Sequence, residues 1–119
     1  MIATALIALI AVLHLYIMAL EMLFWTSPHG RSAFGLSVEF ARSTKALAAN
    51  QGLYNGFLAA GLIWALIAGI AGDGRPPALF FLACVLVAGL FGAATASRRI
   101  LYIQALPAAL ALAALLLAV

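Results

Sequence analysis

Apolar residues run along this chain in four long blocks, at about residues 2–25, 46–71, 78–97 and 100–119. Each block is close to the ~20 residues that a helix needs to cross the hydrocarbon of a bilayer. Lipid gives the backbone no water to bond, so each block must satisfy its own amides as a helix. The pattern predicts an all-α fold, a bundle of four transmembrane helices that forms a single membrane domain over residues 1–119.

The polar stretches between the blocks are unequal. TSPHGRSAFGLSVEFARSTK (26–45) reads as a long polar loop, opened by the turn signal Ser27-Pro28-His29-Gly30. Phe34, Leu36, Val38 and Phe40 punctuate it. That pattern fits a segment lying along the membrane interface, anchored by Arg31, Arg42 and Lys45 and placed to lid a site beneath it. GDGRPP (72–77) is a tight turn. The link around Ser97-Arg98-Arg99 is barely a loop, which predicts an antiparallel pairing of the third and fourth helices. The first block lacks the basic start of a cleavable signal, and its apolar run is too long for one.

Composition fixes the solvent. The chain of 119 residues is 68% hydrophobic and 8% charged, against about 25% charged in a soluble domain. A water-soluble fold of this size exposes too much of its surface to hide so much apolar area. The net charge of +3 rests on six Lys/Arg. Arg31, Arg42, Lys45, Arg98 and Arg99 fall on one side of the predicted bundle, and Arg75 falls on the other. Cytoplasmic loops carry the excess of Lys and Arg. The expected topology in a bacterial inner membrane therefore has loop 26–45 in the cytoplasm and both termini periplasmic. No basic stripe with aromatic platforms accompanies these charges, so no nucleic-acid partner is expected. The single Cys84 lies in an apolar run and cannot form an intramolecular disulfide.

Gly52, Gly56 and Ala60 recur every four residues, as do Ala88, Gly92 and Ala96. Such stripes let helix backbones approach closely, within a subunit or between the subunits of a homo-oligomer. The polar residues are less evenly spread. His14 and Glu21 sit almost two turns apart on one face of the first helix, in a stripe with Met18 and Trp25. Asn50, Gln51, Tyr54 and Asn55 crowd the cytoplasmic start of the second helix. Asn50 and Tyr54 share a face there, and Asn55 points away toward another helix. Tyr102 and Gln104 lie at the cytoplasmic start of the fourth helix, and Thr95 and Ser97 near the end of the third.

This asymmetry predicts a polar pocket in the cytoplasmic half of an otherwise apolar bundle. Ionisable residues within a span usually face the bundle interior or a wet cavity and mark function. Glu21 is then the candidate acid/base, His14 a proton relay, and Tyr54 with Asn50 the orienting donors. Gln51, Asn55, Trp25 and Gln104 are further candidates for contact with a substrate. The chemistry these groups support is binding of a small hydrophobic molecule from lipid or cytoplasm, and its transformation by proton transfer or isomerisation. The plainer use of Asn, Gln and Tyr in membranes is as glue between helices, and a structural or accessory subunit is the reading that follows from it. The sequence has no zinc-ligand spacing, no phosphate loop and no Ser-His-Asp arrangement, and a lone helical His is weak evidence for haem. No cofactor or metal is expected.

HLYIMALEMLFW (14–25), the Phe34-Gly35 pair and LAANQGLYNGFLAAGLIW (47–64) resemble the family catalogued as domain of unknown function 1304, and the resemblance covers essentially the whole chain. It implies a small bacterial four-helix integral membrane protein and no established activity. Some members are loosely labelled epoxidases, a chemistry for which no flavin, metal or haem motif is present here. YIMALEMLFWT (16–26) also faintly resembles the first helix of the small multidrug resistance transporters, four-helix proteins of about this length with one acidic residue in helix one. That likeness implies a proton-coupled exporter centred on Glu21. The one-sided polar cluster departs from it, because the acid of those exporters serves a site reachable from both faces.

Overall fold

The computed structural model describes residues 1–119 and contains helices but no strands. Three helices are long and apolar enough to cross a bilayer: α1 (Ile2–Met22), α4 (Lys45–Ala68) and α5 (Arg75–Thr95). Between α1 and α4 lie two short helices, α2 (Pro28–Phe34) and α3 (Val38–Ser43). After α5 come a π-helical turn (Leu101–Ala105) and α6 (Leu106–Leu116).

The stretch 26–45, expected as a loop, is thus mostly helical, and its capping residues explain how. Ser27 accepts the amide of Gly30 through its hydroxyl, and Pro28 opens α2 where no amide partner is needed. Gly35, in the left-handed region at φ 66°, closes it. Ser37 repeats the cap by accepting the amide of Phe40 at 3.1 Å, and α3 follows at once. The periodic signal of such short helices is too brief to read against their polar composition. Other limits also move. The first helix ends at Met22, where the block runs on to residue 25, because the chain turns back to reach the Ser27 cap. The third begins at Arg75, with Pro76 and Pro77 in its first turn, where prolines are tolerated. Gly69, at φ 91°, ends the second.

Residues 1–12 and 58–119 form one compact unit, and residues 13–57 a second. The first has a core of small and branched side chains, among them Ile7, Ile10, Leu62, Leu82, Val85, Ala108 and Ala111. Within it α5 and α6 run antiparallel. Arg75, at the start of α5, donates to the Leu115 carbonyl at 2.9 Å, near the end of α6. Gln104 donates to the Val85 carbonyl at 3.1 Å. Gly89 sits directly against the backbone of Ala105, and Gly92 against Ile100. The π-helical turn has a cause in the sequence. Pro107 brings no N–H, so the ladder upstream of it loses a bond. The turn widens there, and the Leu106 amide reaches back five residues to the Leu101 carbonyl.

The second unit holds the C-terminal half of α1, the two short helices and the first half of α4. Gly52 and Gly56 let α4 approach α1 closely. A Cβ at Gly52 would lie 2.6 Å from Met22 and 3.0 Å from Glu21, and one at Gly56 would lie 2.7 Å from the Met18 sulfur. Trp25 donates to the Thr44 hydroxyl at 3.0 Å and packs on Phe34, tying the short helices to the ends of the long ones. Large apolar side chains such as Leu9, Leu47, Ile67, Val87 and Phe91 are exposed on the long helices.

Candidate functional site

The polar residues of the second unit divide into two groups on opposite faces of α4. Ala48, Gly52 and Asn55 lie on its inward face, and Leu47, Asn50, Tyr54 and Phe57 on its exposed face. Successive residues turn by about 100°, so Asn55 and Asn50 are well separated around the axis although five positions apart.

The inward group centres on Glu21. Its Oε1 accepts a hydrogen bond of 2.5 Å from Asn55 Nδ2. Glu21 is half-buried, with Met18, Met22, Gly52 and Gly56 around it. A side chain at Gly52 would press on the Glu21 Cβ and the Met18 carbonyl of α1, whereas one at Gly56 would meet only the flexible Met18 side chain. The other carboxylate oxygen accepts no protein donor. His14, two turns earlier on α1, is completely buried and is the only polar side chain in the chain that is. His14 and Glu21 are thus two ionisable side chains on one stripe of α1, seven residues apart, of which Glu21 is bonded to an amide from α4.

The outward group is Asn50, Gln51 and Tyr54. All three are exposed, Tyr54 at 60%, and its ring meets only that of Phe57, edge-on at 6.0 Å. Asn50 and Tyr54, expected as orienting donors, make no hydrogen bond to Glu21. Asn55 takes that place, because it alone of the four polar residues lies on the face that α1 covers. Trp25 is half-buried and committed to Thr44, and Gln104 is half-buried and committed to the Val85 carbonyl. Two hollows lie in the unit formed by residues 1–12 and 58–119. One, of about 210 Å³, is lined by residues including Ile70, Arg75 and Leu115, and the other is an apolar groove along Phe80, Cys84, Val87 and Phe91 of α5. None of the residues expected at the site lines either.

One polar pair was not legible beforehand. The Tyr16 hydroxyl and His29 Nε2 are 2.7 Å apart, with the rings edge-to-face. The Ser27 cap and Pro28 turn the chain back on itself, and His29 then meets a residue more than a turn below the end of α1. The turn signal was visible in the sequence, but the residue that it would deliver His29 to was not.

No group of three or more His, Cys, Asp or Glu side chains is placed to hold a metal ion. No curated protein and no solved structure matches the chain. A family model described as "Protein of unknown function (DUF1304)" matches residues 8–116.

Proposed function

Because the chain belongs to the DUF1304 family, a description that assigns no activity, we propose a function from the site itself: this is a multi-pass membrane protein that binds a small hydrophobic molecule at Glu21 and transforms it by proton transfer or isomerisation. The observation that carries the reading is the half-buried carboxylate of Glu21 inside a span, held at one oxygen by Asn55 and open at the other. A structural amide would join the helices with less desolvation, and an acid kept at that depth marks function by default. Glu21 is the acid/base and Asn55 orients it. His14, buried on the same stripe, relays the proton. Tyr54 and Asn50, on the far face, take no part in this chemistry.

The membrane placement belongs to the same proposal. α6 with its π-helical turn covers 16 residues, Leu101–Leu116, about 24 Å of rise against about 30 Å of hydrocarbon. Arg75 nevertheless bonds Leu115, so the end of α6 is level with the start of α5, and the pair crosses together as the third and fourth spans. Four spans put both termini on one side, and the Lys/Arg bias puts that side outside a bacterial inner membrane, with residues 26–45 in the cytoplasm. Asp73→Cys in a Cys84→Ala background should react with an impermeant thiol reagent added to intact spheroplasts. Reaction only after lysis would reverse the topology.

The test of the site is mass spectrometry of small molecules retained by gently purified protein, wild type against Glu21→Gln. A defined compound present in the wild type and lost in the variant supports the reading. Equal phospholipid in both, with nothing else retained, moves the assignment to the second reading, a structural or accessory subunit. That reading has its own support, since Asn55 and Gln104 both bond from one helix to another. Substrate-dependent proton flux in liposomes that Glu21→Gln abolishes would make the protein an exporter instead.

A further inference from the structure

We propose that the hollow beside Arg75 binds a phosphate group, supplied either by a phospholipid headgroup or by free phosphate. The hollow has a volume of about 210 Å³, well above the roughly 10–15 Å³ that one water needs. It lies wholly within the unit formed by residues 1–12 and 58–119. Four stretches of the chain meet there. Thr4 comes from the start of α1, Ile70 follows α4, Arg75 opens α5 and Leu115 comes from the end of α6. Met1 and Val119 close on each other at its edge, nitrogen to carbonyl at 2.8 Å. Arg75 is the only charged side chain in the lining, and Thr4 is the only other polar one.

The charge on Arg75 has no counter-ion in the chain. Its Nη1 donates to the Leu115 carbonyl at 2.9 Å, the only hydrogen bond of its side chain. Asp73, two residues earlier, makes no ion pair with it. Arg75 is half-buried, and a cation set against apolar walls such as Ile70 and Leu115 is costly unless an anion joins it. The same walls strengthen its attraction for that anion. The bond to Leu115 holds the guanidinium in place before a ligand arrives, which lowers the cost of ordering it on binding. A planar guanidinium pairs with phosphate oxygens through two parallel N–H bonds, and the N–H groups not used on Leu115 are left for them. The Thr4 hydroxyl has no bond within the chain and can donate one more. None of the other Lys or Arg side chains lines either hollow. Arg75 opens a helix long enough to cross a bilayer. Under the membrane placement proposed above, the hollow is therefore level with the headgroups, where phospholipid phosphate is at hand.

The experiment uses the full chain, delipidated in a detergent that carries no phosphate, as wild type, Arg75→Gln and Ala71→Glu. Ala71 is exposed and lines the hollow, so a glutamate there offers Arg75 a carboxylate without adding volume to the core. Native mass spectrometry with added phosphatidylglycerol should find lipid bound to the wild type. Affinity should fall about tenfold or more in both variants, with helix content by circular dichroism unchanged. Arg98→Gln, beyond the other end of α5, should bind as the wild type does. If free phosphate is the source, no lipid is held. Inorganic phosphate then raises the thermal midpoint of the wild type above its value in chloride at equal ionic strength, and raises that of neither variant. If Arg75→Gln fails to fold, Ala71→Glu decides alone. Two results would overturn the inference: equal binding by the wild type and Ala71→Glu, or a wild type that neither holds phosphatidylglycerol nor responds to inorganic phosphate. These readouts are taken in detergent and do not involve Glu21, so they are independent of the topology and of the chemistry proposed for that residue.

Discussion

Gly89→Leu is expected to lower the thermal midpoint clearly below that of the wild type. A Cβ at this position would lie 2.8 Å from the Ala105 amide nitrogen and 3.0 Å from its Cα. Both are backbone atoms of the π-helical turn and cannot rotate aside. The whole turn would have to retreat, carrying Gln104 away from the Val85 carbonyl and loosening the seam on which α6 packs. Forcing extra volume into a packed interior costs about 1–3 kcal/mol, and the loss of an interhelical hydrogen bond adds about 0.6 kcal/mol or more. Gly92→Ala is the control. Its Cβ would meet only the Ile100 side chain, 3.2 Å from Cδ1 and 3.3 Å from Cγ2, with no backbone atom in the way, so a shift of a few tenths of an ångström in that side chain relieves it. The check is helix loss on heating in one detergent for wild type and both variants. Equal midpoints for Gly89→Leu and wild type would show that the turn is not packed as described.

The physical reasons for what was legible in the sequence differ from element to element. The three long helices could be read because a continuous apolar block of about 20 residues has one stable form in lipid. Their ends could not be fixed so closely, since the block from 2 to 25 contains no apolar-to-polar step at Met22, where the helix stops. The stop is imposed from downstream, by the Ser27 cap that turns the chain back. The short helices α2 and α3 are likewise set by caps at Ser27 and Ser37 and by Gly35, single residues whose effect depends on their neighbours. At the site, the concentration of polar residues in NQGLYNGF was visible, and so was the divergence of Asn55 from Asn50 and Tyr54. Which face would meet Glu21 was not. That choice is made by Gly52 and Gly56, which bring α1 against their own side of α4 and leave Asn50 and Tyr54 outside. A small-residue stripe marks a close approach but does not name the helix that makes it.

Asn55→Leu and Glu21→Gln should separate the glue at this seam from the chemistry. Removing Asn55 takes away the one protein donor to the Glu21 carboxylate, and a hydrogen bond between helices contributes about 0.6–1.7 kcal/mol in membranes. The leucine also presses against an acid that has lost its partner, so Asn55→Leu should destabilise by about 1–2 kcal/mol. Glu21→Gln keeps a carbonyl oxygen where Asn55 donates and removes an ionisable group from a half-buried place. Its midpoint should therefore match or exceed that of the wild type, as is common when a functional group that strains the fold is neutralised. The two groups are in contact, so their effects should not add. Glu21→Leu combined with Asn55→Leu should be less destabilised than the sum of the single changes, because the double variant leaves neither partner unbonded. A site assigned to Glu21 then requires one pattern: unchanged or higher stability in Glu21→Gln together with loss of the retained molecule. If Glu21→Gln falls in stability as far as Asn55→Leu and the bound molecules do not change, the acid serves only to join α1 to α4, and the proposed chemistry fails with it.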